Sequence, residues 1–209
     1  MIAVRRHSRI FVVTDINKLR PRGRPRSFDP DRAIETAQQL FHARGYDAVS
    51  VSDLTDAFGI KPPSFYSAFG SKAELYIRVL ERYAQTGAIP LADLLRSDRP
   101  LAEALTAVLE DGARRFAADP ERSGCMVLEG LHCLDADARD AARGMQASAD
   151  SLLNSYIAER RPDEARHLAD FVGTTLAGLS SMARNGHSLE RLLATARLAG
   201  NAIEQELSG

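Results

Sequence analysis

Between Asp29 and Tyr83 the chain carries start and stop signals for four helices, and two of these are too short to be stable alone. Asp29 can cap a helix whose first position is Pro30, where the missing N–H costs nothing. Ala33, Ala37, Leu40 and Phe41 then form one apolar stripe, which Gly45 ends. Ser50 and Asp53 form an S-x-x-D capping pair for a second helix, with Val51, Leu54 and Phe58 inward and Gly59 as its stop. After the turn Gly59-Ile60-Lys61, Pro62 and Pro63 occupy the cap or first-turn positions of a third helix, which places Phe65 and Phe69 four apart on its buried face. Gly70 closes it, and Ser71 with Glu74 makes a capping box for a longer fourth helix through Tyr83. Such short helices require packing against one another.

Apolar spacing is helical almost throughout, and β-branched residues cluster only at Ile10 to Thr14, so the fold class is all-α. Beyond Gly87 the composition turns rich in Ala and Leu, with Pro90, Pro100, Pro120 and Pro162 as punctuation. The spacing predicts helices over 101–118, 124–134, 136–159, 163–185 and 188–207, the last two joined by Asn185-Gly186-His187 as an antiparallel hairpin. The chain divides into a basic arm at 1–26, expected to be disordered, a helical unit at 27–87 and a second helical domain at 88–209. No apolar run approaches the roughly 18 residues of a spanning helix. No convincing secretory signal precedes the helices, so the expected compartment is the cytoplasm. Cys125 and Cys133 lack CxxC spacing, which fits free thiols in a reducing compartment.

Charge is distributed unevenly. Residues 1–85 hold 14 Lys and Arg against 9 Asp and Glu, while the remainder holds 13 against 19. Within the first 28 residues eight basic groups face Asp15 alone, a composition that seeks polyanions. Two short helices, a tight glycine turn and a bracing helix ahead make a helix-turn-helix at about 50–69. Its physical use is to aim the second helix into a DNA major groove while the first crosses the phosphates.

From Arg24 to Tyr83 the sequence resembles the DNA-binding domain of TetR/AcrR transcriptional regulators. The resemblance is carried by Leu40-Phe41, Gly45-Tyr46, Val51, Asp53-Leu54, Gly59-Ile60, Ser64-Phe65-Tyr66, Phe69, Ser71-Lys72 and Glu74-Leu75. It implies a homodimeric regulator, chiefly of the repressor type, released from double-stranded operator DNA by a small-molecule effector. It also implies that Tyr66 reaches a phosphate or base edge, with Lys61, Ser64, Ser67 and Lys72 near the backbone or groove. Ser50 could hold a phosphate, although capping already explains it. Pro62 and Pro63 remove two backbone donors, so base reading there would be apolar, for example against thymine methyls. Arg22, Arg24 and Arg26, alternating with Pro21, Gly23 and Pro25, form an arm suited to a narrow minor groove.

The resemblance thins after Tyr83. It implies an effector pocket among residues 101–185, with Phe116, Met126, Leu131, Met145, Leu152, Tyr156, Phe171 and Met182 as apolar candidates and His132 and Cys133 as polar handles. Gly173, Leu176, Ala177 and Ser180 offer a small-residue face for pairing the last two helices with a partner's. No enzyme motif (GxSxG, Walker loop, HExxH or Rossmann glycines) occurs, and no cofactor or metal is expected. Two alternatives stand beside the ligand-released regulator. One is a metal- or redox-responsive regulator using Cys125, His132 and Cys133; the other is an architectural DNA binder without an effector.

Overall fold

A computed structural model describes residues 28–208, which form ten α-helices and one 3-10 turn, with no strand among the described residues. The helices are α1 (Pro30–Arg44), α2 (Val51–Phe58), α3 (Pro62–Phe69), α4 (Lys72–Thr86), α5 (Leu91–Leu94), α6 (Leu101–Phe116), α7 (Met126–Gly130), α8 (Ala136–Ala158), α9 (Ala165–Arg184) and α10 (Leu189–Ser208), with the 3-10 turn at Pro120–Arg122. The arginines Arg22, Arg24 and Arg26, with the rest of the basic arm, lie outside the described residues.

Local signals act where their chemistry places them. Asp29 accepts from the backbone N–H groups of Asp31 and Arg32. Ser50 Oγ accepts from Asp53 N at 3.1 Å while Ser50 N donates to Asp53 Oδ2 at 2.7 Å, closing a reciprocal box. Gly59 takes φ +68°, a left-handed turn that a side chain would strain, and its N–H returns to the end of α2. Between α6 and α8 the sequence expectation differs from the structure. The helix predicted over 124–134 is reduced to the five residues of α7, because Gly124 enters at φ +78° and the chain must turn again to reach the Asp135 cap of α8.

Two apolar clusters hold the molecule. One joins α6, α9, α10 and the end of α8 through Leu105, Val108, Leu109, Ile157, Val172 and Leu192. The other gathers Phe41, Leu54, Phe65, Phe69, Leu75 and Tyr76 from the first four helices, and it also takes in Met126, Val127, Cys133, Ala138 and Ala142. The core around the short helices therefore continues past residue 87 into α7 and the start of α8. Polar contacts reinforce that junction: Tyr46 Oη donates to Asp135 at 2.8 Å, and Leu134 N donates to Asp47 at 3.0 Å. His42 is partly buried, with Nε2 at 3.0 Å from the carbonyl of Gly124. Burial lowers its pKa, and the nearby Arg184 and Arg122 lower it further against the raising effect of the Gly124 bond.

Candidate nucleic-acid interface and effector cleft

The outward face of α3 follows directly from what its inward face must do. Phe65 and Phe69 are fully buried, with ring centroids 5.5 Å apart and Phe58 packed against both. That leaves Pro62, Pro63, Ser64, Tyr66 and Ser67 exposed on an eight-residue helix that carries no charge. Tyr66 is 53% exposed and is steadied by an edge contact with Phe65 at 5.4 Å. Lys61 is the N-cap of α3, makes no side-chain capping bond and is exposed. The exposed side of α3 thus carries phenol and hydroxyl groups and no charge, with the Lys61 ammonium at its leading end.

Ser50 lies at the head of α2, where its hydroxyl is committed to the capping box. The Ser50 hydrogen bonds and the Arg44 guanidinium hold the Asp53 carboxyl down to about 2. Lys72 makes contacts within the helical unit. Its Nζ donates to the carbonyls of Tyr46 at 3.1 Å and Val49 at 3.0 Å, and it lies 3.9 Å from the centroid of the Tyr46 ring. The lysine thus closes the carbonyl-rich loop after α1, a role its sequence position does not announce.

Residues 28–87 carry six Lys and Arg against eight Asp and Glu, so the compact helical unit alone is slightly negative. Arg44 is paired with Asp53, and Arg82 with Glu35. The positive charge of the first third of the chain therefore resides in the arm ahead of α1.

A cleft of about 420 Å³ opens between α4, α5, α7, α8 and α9. Of the pocket residues expected from sequence, Phe116, Met145 and Leu152 line it. Met126 is enclosed in the core around the short helices and Leu131 packs against that core, while His132 is exposed. Tyr156 is buried, with its hydroxyl donating to the carbonyl of Arg96 at 2.7 Å. Met182 packs against the other core, and Phe171 points outward at 41% exposure. Sequence reasoning missed the α4–α5 wall, including Tyr83, Ile89 and Leu91, because that stretch lies outside the 101–185 window.

The small-residue face is divided by the fold. Gly173 and Leu176 line the cleft. Ser180 is 4% exposed and its Oγ accepts from Cys125 N at 2.9 Å, so it is closed off from any partner. Ala177 alone of the four is exposed, and so are the large apolar side chains Phe171 on α9 and, at 70%, Leu198 on α10. Cys133 is buried and burial pushes its thiol up to about 11, whereas Cys125 is half-buried at the cleft. Among the described residues no three His, Cys, Asp or Glu side chains stand together to hold a metal, and no helix is long and apolar enough to cross a membrane.

Residues 33–79 match the family described as bacterial regulatory proteins, tetR family. The HTH-type transcriptional repressor BdcR of Escherichia coli (strain K12) is 53% identical over 182 residues, covering 87% of this chain and 92% of that protein. The HTH-type transcriptional repressor ComR of the same organism is 31% identical over 193 residues, covering 87% and 90%. Among solved structures, a cysteine mutant of the TetR family transcriptional regulator CifR, complexed with 26-bp double-strand operator DNA, superposes with a TM-score of 0.77. It is 32% identical and covers 86% of this chain and 99% of its own.

Proposed function

Because this chain belongs to the TetR family of bacterial regulatory proteins, we propose that it is a homodimeric, non-enzymatic transcriptional repressor of the cytoplasm, released from its operator by a small molecule bound in the α4–α9 cleft. The observation that carries the reading is the exposed Pro62–Ser67 face of α3, presented on a helix whose other face is locked by Phe65 and Phe69. Relatives named as repressors, and a similar protein held on operator DNA, support the sign of the regulation and the kind of partner.

In this reading Tyr66, Ser64 and Ser67 meet the groove, Pro62 and Pro63 offer it apolar surface, and Lys61 meets phosphate. Ser50 and Lys72 lie beside the backbone while also holding the unit together. Arg22, Arg24 and Arg26 supply the charge that the slightly negative helical unit lacks. Phe171, Ala177 and Leu198 mark the face through which two copies pair, so that two α3 helices reach half-sites one or more helical turns apart. The cleft borders α4 through Tyr83 and Ala84, and the same helix carries the short-helix core at Leu75 and Tyr76. A ligand that binds better when α4 is displaced draws the dimer toward a spacing that no longer fits the operator.

The test is a gel-shift against DNA from immediately upstream of the reading frame, at two salt concentrations with competitor DNA, followed by selection from random DNA if no shift is seen. A discrete, competitor-resistant complex is the expected result. Tyr66→Ala should weaken it by about tenfold or more while the dimer and its melting temperature stay unchanged, since each well-placed base or phosphate contact contributes about 1–3 kcal/mol. Wild-type affinity in that variant would refute the assigned DNA face.

A further inference from the structure

The walls of the α4–α9 cleft contain no Lys, Arg or His, and Asp150 is the one charged residue on them. Apolar side chains, among them Ile89, Phe116, Leu128, Leu153 and Leu176, make up the inner surface. Along one edge the cleft meets a more polar groove of about 630 Å³, and the two share Gln146, Asp150 and Gly173. Asp150 Oδ1 accepts from Gln146 Nε2 at 2.7 Å, and no cation pairs with it among the described residues. Asp150 is exposed at this edge; desolvation beside the apolar cleft, with the charge of Asp170 adding to it, raises its carboxyl despite the Gln146 bond. Beside Asp150, the outer groove is lined by two further charged residues, Arg166 and Asp170.

Gly173 bears on the same edge independently. It lies inside α9, where glycine costs about 1 kcal/mol relative to alanine, yet a Cβ built on it meets nothing within 4 Å. Packing within the chain therefore does not require the glycine. Any side chain there would enter the space where cleft and groove join, and glycine leaves that space open.

We propose that the occupant is a lipophilic cation: an apolar body in the α4–α9 cleft, with an ammonium group at the Gln146–Asp150 edge. The size is that of pockets holding drug-like ligands. An apolar lining rewards a hydrocarbon body, and Asp150, the one charged residue on the cleft walls, rewards a positive end. Carboxylates, phosphates and nucleotides would bring a negative charge to a cleft whose own walls carry a carboxylate and no cation, and at the shared edge Arg166 is outnumbered by Asp150 and Asp170. This assignment rests on the effector reading above and adds the chemical class.

Full-length protein is titrated by calorimetry with decylammonium, decanol and decanoate, all below micelle-forming concentrations. The expected order is decylammonium about tenfold or more tighter than decanol, with decanoate weakest. Asp150→Asn should bring decylammonium to within about twofold of decanol, with decanol itself unchanged. Gly173→Leu, whose Cβ meets nothing within 4 Å, should abolish binding of all three and leave the melting temperature unchanged or raised. Equal binding of decanoate and decylammonium, an unaltered preference in Asp150→Asn, or no binding by any of the three would overturn the assignment. Release of labelled operator by decylammonium from wild type but not from Asp150→Asn tests the other reading separately. Tight, Asp150-dependent binding without release would refute the effector role and leave the ligand class standing.

Discussion

Lys72→Met separates an anchoring lysine from a phosphate contact. The substitution keeps an apolar stem and removes the ammonium that donates to Tyr46 O and Val49 O and lies over the Tyr46 ring. A hydrogen bond from a charged donor contributes about 1.5–3 kcal/mol and a cation–π contact about 0.5–2 kcal/mol. These contributions do not add in full here, because the lysine is only partly buried and water can reach carbonyls it abandons. A net loss of about 2 kcal/mol results, which lowers the melting temperature by about 4–8 °C for a chain of this length. The assay is thermal unfolding by circular dichroism at matched protein concentration, since dimer stability depends on it. A melting temperature within about 1 °C of wild type would refute the anchoring argument. The salt dependence of operator binding gives the complementary readout. If the remaining N–H also meets a phosphate, the slope of log affinity against log salt falls by about 0.9 per lysine; if Lys72 is an anchor alone, it is unchanged.

Other outcomes follow from the junction between the short-helix unit and the rest. The lowered pKa of His42 means that the folded state binds a proton less readily than the unfolded one. Its contribution is complete above the ordinary histidine range near 6.5 and is lost as pH falls through the lower folded value. The wild-type melting temperature should therefore drop more steeply than that of His42→Gln on acidification below about pH 6.5, and parallel curves would dismiss the effect. Cys133, buried and held up to about 11, should resist alkylation at pH 7.5 until the protein unfolds, so rapid labelling of a Cys125→Ser variant would contradict its placement. Gly130→Ala drives a methyl to 2.6 Å from Tyr76 Oη and 2.8 Å from Ala142 Cβ, and overpacking of this kind costs about 1–3 kcal/mol. An unchanged denaturation midpoint would show that α7 moves aside freely.

The short-helix unit was almost fully legible in the sequence because its determinants are local. A cap reaches three residues, a proline acts on its own turn, and a glycine at positive φ ends the helix it follows; Ser50, Pro62, Gly59 and Gly70 all work this way. The exposed face of α3 was legible for the same reason, since burying Phe65 and Phe69 leaves Pro62, Pro63, Tyr66 and Ser67 outside. The cleft was much less so. Phe116, Met145 and Leu152 could be named, but apolar spacing marks a residue as inward without saying whether it meets a neighbour or a void. Met126 and Met145 cannot be told apart by periodicity, yet Met126 is enclosed in a core and Met145 lines the cleft.

An all-helical chain, the limits of its first four helices and the side of α3 left free are all written in the order of the residues, because backbone capping and helical period act over a turn or less. Every pairing between distant segments had to wait for the folded molecule. His42 meets a carbonyl 82 positions away, Ser180 turns inward to Cys125 N, and Lys72 folds back over the loop after α1. Gly173 lies where cleft and groove join, and a Cβ built on it meets nothing within 4 Å in the chain. Which residues meet depends on how ten helices share a limited interior, and that packing is a property of the folded chain as a unit rather than of any one segment.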